Sequence, residues 1–202
     1  MTQPSMLDLD PVATLGPLSA LRRHVLRGGA WVDHLTGWVH GSDAVFEALR
    51  AGVDWRAERR EMYEREVDVP RLLRFYDEGE ALPHDLLTYA RDRLSEYYAD
   101  EPFVTAGMCL YRDGHDSVAW HGDTNGRSSR FDTVVAIVSF GYPRPLLLRP
   151  RGGGPSLRFP LGHGDLLVMG GSCQRTWEHS VPKTARPVGP RISVQFRYRG
   201  VS

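Results

Sequence analysis

The carboxyl-terminal half of this 202-residue chain is patterned almost throughout as short β-strands, and that limits the folds open to it. Residues 133–140 form a β-branched, apolar run, residues 166–169 a second short one, and residues 191–198 alternate polar and apolar side chains without a break. Glycine and proline separate these runs at Gly141-Tyr142-Pro143, Arg151-Gly152-Gly153-Gly154-Pro155 and Gly170-Gly171. Helical patterning comes earlier. Ser42 or Asp43 can cap a short helix through about Ala51, with Val45, Phe46 and Leu49 on its apolar side. Pro83 suits the first turn of a helix to Tyr98, along which Leu87, Ala90, Leu94 and Tyr97 recur at helical spacing. Residues 21–39 fit a helix or a hairpin equally well. Helices followed by many short strands predict an α+β chain whose second half, about residues 104–200, is a double-stranded β-helix, or jelly roll. Residues 1–18, with Pro4, Pro11 and Pro17, are expected to form a flexible arm before a single domain over 19–202.

With 41% hydrophobic and 25% charged residues, the composition suits one soluble domain with a real core. No run approaches the roughly 20 apolar residues of a membrane span, so no membrane partner is expected. The first ten residues lack the basic start and apolar run of a signal peptide. Cys109 and Cys173 have neither disulfide-framework nor zinc spacing, so reduced thiols in a cytoplasm are expected. No coiled-coil pattern or apolar interface stripe calls for an oligomer, and a monomer is expected. Zero net charge hides an asymmetry: residues 1–101 carry 12 basic and 19 acidic side chains, and residues 102–202 carry 13 and 6. Excess basic charge in the strand-rich half suits a polyanionic partner, although unpartnered surface arginines give the same count.

His121-Gly122-Asp123 lies in that half, and His179 follows 58 residues after His121. Side chains two apart on a strand share a face, so His121 and Asp123 can serve one ion, with His179 arriving from a distant strand. Two imidazoles and one carboxylate are the facial set that holds non-haem Fe(II) and leaves other positions open. An isolated His-x-Asp is also a common surface pair. His163-Gly164-Asp165 is such a pair; only 16 residues before His179, it reads as a tight turn feeding a buried strand.

On the alternating segment, Arg191, Ser193, Gln195 and Arg197 share one face, and Ile192, Val194, Phe196 and Tyr198 the other. The polar face can line a cavity, and planar guanidinium groups suit a dicarboxylic acid. Six residues of strand span roughly 20 Å, so the arginines divide the work. Arg191 is expected on the distal carboxylate, and Arg197 near the metal end, steadying Asp123.

These residues resemble the AlkB family of Fe(II)- and 2-oxoglutarate-dependent nucleic-acid dealkylases. The matching segments are Leu110-Tyr111-Arg112-Asp113-Gly114-His115-Asp116, running on through Trp120-His121-Gly122-Asp123, then Trp177-Glu178-His179-Ser180-Val181-Pro182, then the Arg191 to Arg197 strand. Upstream, Met62-Tyr63 and Val69-Pro70-Arg71-Leu72-Leu73-Arg74-Phe75-Tyr76 resemble the family's β-hairpin nucleotide-recognition lid, about residues 55–80. The resemblance implies a metal triad of His121, Asp123 and His179, with Tyr111, Arg191, Ser193 and Arg197 around 2-oxoglutarate. It implies oxidative dealkylation of N-alkylated bases in DNA or RNA, as in DNA repair, using Fe(II), 2-oxoglutarate and O2 and releasing formaldehyde, succinate and CO2. Phe75 and Tyr76 match an aromatic pair that shapes the pocket for a flipped-out base, unless they are core contacts. Arg71 and Arg74 could meet phosphates, although a solvated arginine is the commoner fate, and Arg127, just past the metal strand, could track the backbone.

Two positions depart from the family pattern. Cys109 stands where asparagine is usual beside the cosubstrate, and Asn125 stands where repair-type members carry an acid. Asparagine accepts through one oxygen and brings no charge, so a cationic methylated base gains less there. Competing readings are therefore an oxygenase of the same fold acting on a modified tRNA, a protein or a small molecule, and a non-catalytic nucleic-acid-binding relative. Succinate formed from 2-oxoglutarate without any nucleic acid separates the last from the others.

Overall fold

The structure, a computed structural model, describes residues 12–62, 65–98, 100–123 and 126–201, with backbone alone at 60–62, 65–68 and 127. Its strands in chain order are β1 (Thr14–Leu15), β2 (Arg22–Val25), β3 (Ala30–Leu35), β4 (Val39–His40), β5 (Arg56–Met62), β6 (Arg65–Tyr76), β7 (Thr105–Tyr111), β8 (Val118–His121), β9 (Val135–Gly141), β10 (Arg144–Pro150), β11 (Leu157–Leu161), β12 (Asp165–Gly171), β13 (Trp177–Val181) and β14 (Arg191–Arg197). Helix α1 covers Ser42–Gly52, α2 covers Asp85–Tyr98, and α3 is a single turn, Cys173–Thr176.

An eight-stranded sheet in the order β2-β3-β12-β9-β14-β7-β6-β5 faces a four-stranded sheet, β11-β10-β13-β8, and every pairing is antiparallel. This is the expected double-sheet jelly roll. Strand β9 is buried along nearly its whole length, which explains a continuous apolar run instead of an alternating one. Strand β10 alternates buried and half-buried residues and sends Leu146 and Leu148 inward. The core runs between the sheets and out beneath α1 and α2, where Trp38, Val45, Leu49, Leu87 and Leu94 are buried.

Several elements differ from expectation. Residues 21–39 resolve as a hairpin, β2–β3, whose Asp33 accepts a two-pronged bond from Arg23 and one from the Tyr98 hydroxyl. Strands therefore precede the first helix. Within the expected arm, Thr14–Leu15 pairs with Val39–His40 and Leu18 is buried, so residues 12–18 lie on the domain; residues 1–11 are outside the described residues. Neither Ser42 nor Asp43 caps α1: Gly41 holds the N-cap position, Ser42 is inside the helix, and Asp43 lies 3.1 Å from the His163 imidazole. Helix α2 begins at Asp85, and its Leu86 amide donates to His84 Nδ1. Its inward tyrosine is Tyr98, tied to Asp33; Tyr97 is exposed. The segment expected to form the lid is the β5–β6 hairpin at the margin of the large sheet, with residues 63–64 of its turn outside the described residues. Among the described residues no helix is long and apolar enough to cross a membrane.

Candidate metal and cosubstrate site

A cavity of about 490 Å³ opens between the sheets. The large sheet furnishes its floor in cross-strand rows. Leu73, Cys109, Ser193 and Ser139 form one row, and Phe75, Gly107, Gln195 and Ile137 the next. The small sheet furnishes the opposite wall through His121, His179, Leu146 and Val181.

His121 ends β8 and pairs directly with His179 on β13, which brings their ring centres to 4.2 Å. Asp123 lies just past the strand, and His121 Nε2 is 3.8 Å from its Oδ1. Gly122 makes this step possible: a Cβ there would stand 2.5 Å from the Gln174 carbonyl oxygen and 3.2 Å from that of Trp177. The Asp123 amide donates to Gln174 Oε1 at 3.0 Å, and Arg197 Nε donates to Asp123 Oδ2 at 2.8 Å.

The protonation states suit a divalent cation. Burial alone would push the Asp123 carboxyl up; the Arg197 guanidinium and the two imidazoles outweigh it and hold it at about 2. Burial, reinforced by His121, pulls His179 down to about 3, so its ring is neutral with a free lone pair. His121 Nδ1 lies 2.9 Å from the Ala119 carbonyl oxygen, which can only accept, so Nδ1 carries the proton and Nε2 faces the site. One ligand atom from each of the three lies within 4.8 Å of the others. Two imidazoles and an ionised carboxylate on one side of an open cavity fit non-haem Fe(II).

At the other end, Arg191 is 1% exposed, and its Nε donates to the Ser139 hydroxyl at 2.9 Å. Its Nη1 is buried with no partner, and among the described residues no carboxylate pairs with it. A buried guanidinium in that condition calls for an anion, and a carboxylate of 2-oxoglutarate would supply one. The Tyr111 ring lies 5.3 Å from the Arg191 guanidinium carbon, and burial pushes its phenol up to about 12, so it remains a donor. Ser193 faces the same space and accepts from Gln195 Nε2 at 2.6 Å, leaving its hydroxyl proton to donate. Cys109, half-buried in this row, offers only a weak thiol contact to Gln195 at 3.9 Å.

The remaining candidates separate. Phe75 is 49% exposed and lines the cavity; Gly107 opposite leaves it room, since a Cβ there would stand 3.3 Å from its ring. Tyr76 borders the cavity but is a core residue, buried, with Arg74 stacked at 4.4 Å from its ring centre. Arg71 turns inward instead of outward: it lines the cavity, and its Nη1 donates to the Ser117 carbonyl at 3.1 Å. Arg74 is bound to Glu80 and to the Phe75 carbonyl. Asn125 is outside the described residues, and Arg127 opens a short 3-10 turn with only its backbone described. His163-Gly164-Asp165 is structural: Asp165 accepts from the Gly37 and Gly162 amides, and His163 from the Gly141 amide.

Two supports escape sequence reading. Arg144 is 2% exposed and donates to the carbonyls of Asp113, Asp116 and Pro182, which fixes the loop after Tyr111. Gln174 reaches Asp123 from α3. No spacing rule marks a side chain whose partners are distant backbone groups.

The family model described as the 2OG-Fe(II) oxygenase superfamily matches residues 44–197, and the chain belongs to that superfamily. Among its curated relatives are AlkB homologues. It is 31% identical over 176 residues to alpha-ketoglutarate-dependent dioxygenase alkB homolog 3 of Bos taurus, covering 77% of this chain and 61% of that protein. Against the Homo sapiens alkB homolog 3 it is 30% identical over 179 residues, covering 79% and 62%. A shorter match, 36% identical over 95 residues, joins it to the DNA oxidative demethylase ALKBH2 of Homo sapiens, covering 43% and 36%. The chain thus spans about three-fifths of the length of the alkB homolog 3 proteins it matches. The fold is shared with OsALKBH1, at a TM-score of 0.57, 14% identity and coverage of 88% and 100%. It is also shared with a prolyl hydroxylase from Trichoplax adhaerens, at a TM-score of 0.59, 12% identity and coverage of 83% and 82%.

Proposed function

We propose that this chain is an Fe(II)- and 2-oxoglutarate-dependent oxygenase that oxidatively dealkylates N-alkylated nucleobases in single-stranded or flipped-out nucleic acid. One observation carries the reading: a single cavity holds the His121, Asp123 and His179 cluster, the anion-seeking Arg191, and an exposed aromatic ring, Phe75. Membership of the superfamily and the printed names of the AlkB relatives support it.

When bound, Fe(II) with 2-oxoglutarate and O2 supplies the oxidising power that hydroxylates a methyl carbon on a base nitrogen, with release of formaldehyde, succinate and CO2. The protein's own part is placement. His121, Asp123 and His179 hold the ion, Arg197 fixes the carboxylate that serves it, and Arg191, Tyr111 and Ser193 orient the cosubstrate. A base cannot reach this cavity from within a duplex, so it enters extruded or from a single strand. Phe75 offers it a stacking face worth roughly 1–3 kcal/mol.

The test incubates the protein with Fe(II), ascorbate, 2-oxoglutarate and single-stranded oligonucleotides bearing 1-methyladenine, 3-methylcytosine or ethenoadenine, followed by mass spectrometry. Loss of a lesion only with iron and cosubstrate is expected. Intact lesions alongside succinate production would move the activity to another substrate, and no succinate at all would end the oxygenase reading.

A further inference from the structure

The lid strand β6 brings Arg71 to the cosubstrate end of the cavity. Pairing between β6 and β7 begins at Leu72 opposite Leu110, so Arg71, one residue earlier, extends the row that pairs Tyr111 with Arg191. Leu73 and Phe75, on the same strand face, line the same cavity. Ser117 secures the segment from both sides: its amide donates to the Pro70 carbonyl at 2.8 Å, and its carbonyl accepts from Arg71 Nη1 at 3.1 Å. The guanidinium is thereby drawn inward. Its Nε is buried and has no partner, as is true of Arg191 Nη1, and its charge is felt by the Tyr111 phenol. Two guanidinium groups flanking Tyr111 therefore each keep an unused buried N–H, with no carboxylate of the described residues paired to either.

We infer that Arg71 is a second ligand for the distal carboxylate of the cosubstrate, closing on it from the lid strand while Arg191 holds it from β14. The assignment rests on the oxygenase reading above and adds to it a residue from the substrate-recognition hairpin. It also gives Arg71 a role other than phosphate contact. A dicarboxylate satisfies both orphaned donors; a monocarboxylic 2-oxoacid, lacking the distal group, satisfies neither.

The test uses the full chain loaded with Mn(II), which binds the cosubstrate without turnover, and isothermal titration with 2-oxoglutarate and with 2-oxobutyrate. Charge-assisted hydrogen bonds of this kind contribute enough that Arg71→Met should weaken 2-oxoglutarate binding roughly ten- to hundredfold. Its affinity for 2-oxobutyrate and for a single-stranded oligonucleotide should stay within about twofold, the range expected for a contact those ligands do not make. Arg71→Lys, which keeps the charge and loses the fork, should recover part of the loss. Unchanged 2-oxoglutarate binding in Arg71→Met overturns the assignment. So does an equal loss for both oxoacids, which reports general damage to the cavity. So does a fall confined to oligonucleotide binding, with a shallower salt dependence, which marks a phosphate contact. Failure of the unaltered protein to bind 2-oxoglutarate is a distinct result and removes the cosubstrate reading itself.

Discussion

Arg197 donates to Asp123 at 2.8 Å across 74 positions of sequence, joining the last strand of the large sheet to the carboxylate beside the small one. The pair is nearly buried, with side-chain exposures of 15% and 6%. Replacing Arg197 with leucine leaves that carboxylate without its partner and free to rotate. Metal affinity should fall by roughly 10–100-fold, the usual effect of removing a group that orients a ligand. Mn(II) titration of the variant checks it, and unchanged affinity would show that Asp123 is held by other means.

His179→Ala tests the triad directly. The ring is neutral before any ion arrives, so its removal strands no charge in the core. Circular dichroism should be preserved while Mn(II) binding and iron-dependent turnover disappear. Full turnover in this variant would exclude His179 as a ligand.

Gly122→Ala should damage the site through the backbone. The added methyl meets two carbonyl oxygens, which cannot swing aside as a flexible side chain could. A loss of about 1–3 kcal/mol in urea unfolding is expected, as for other overpacked positions. A variant as stable as the parent would mean that the chain at Asp123 relaxes freely.

Phe75→Ala separates binding from folding. The ring is half exposed, so stability should change little, while oligonucleotide affinity should drop by roughly 1–3 kcal/mol of lost stacking. Fluorescence anisotropy reads the affinity. Equal binding by parent and variant would remove Phe75 from the substrate surface.

Asp116 gives a pH signature. Burial favours its neutral form, but the side-chain and backbone bonds from Arg112 prevail and hold the carboxyl below its ordinary value. A carboxyl depressed in the folded state contributes stability above its unfolded pKa of about 3.9, and that contribution is lost as pH falls through the folded value. Asp116→Asn should therefore be less stable than the parent at pH 7, with the gap closing below about pH 4. A gap independent of pH would assign the effect to packing.

The sequence was most legible where periodicity and burial coincide. The alternation over residues 191–197 announced both the strand and its cavity face, and the His121, Asp123 and His179 spacing announced three candidate ligands that do meet. It was least legible where one residue's partner is a distant backbone group. Arg144 reads as one arginine among many until three carbonyls surround it. The β2–β3 hairpin was ambiguous because β2 is exposed along its whole length and carries no core-facing pattern. The inward course of Arg71 was not legible because the direction of a long side chain depends on what receives it, here the Ser117 carbonyl.

Strand β8 is bonded on one side only, to β13, and so forms the free margin of the small sheet among the described residues. Of the three candidate ligands, it carries the one that is 40% open to solvent, while Asp123 and His179 sit fixed and buried behind it. Loading and stripping of an ion would then need only that margin to fray, an event on the microsecond-to-second scale of local unfolding, with no breach of the core. An ion held here would be latched by His121. A chelator should therefore empty the protein much faster than the protein unfolds, and apoprotein should recharge without refolding.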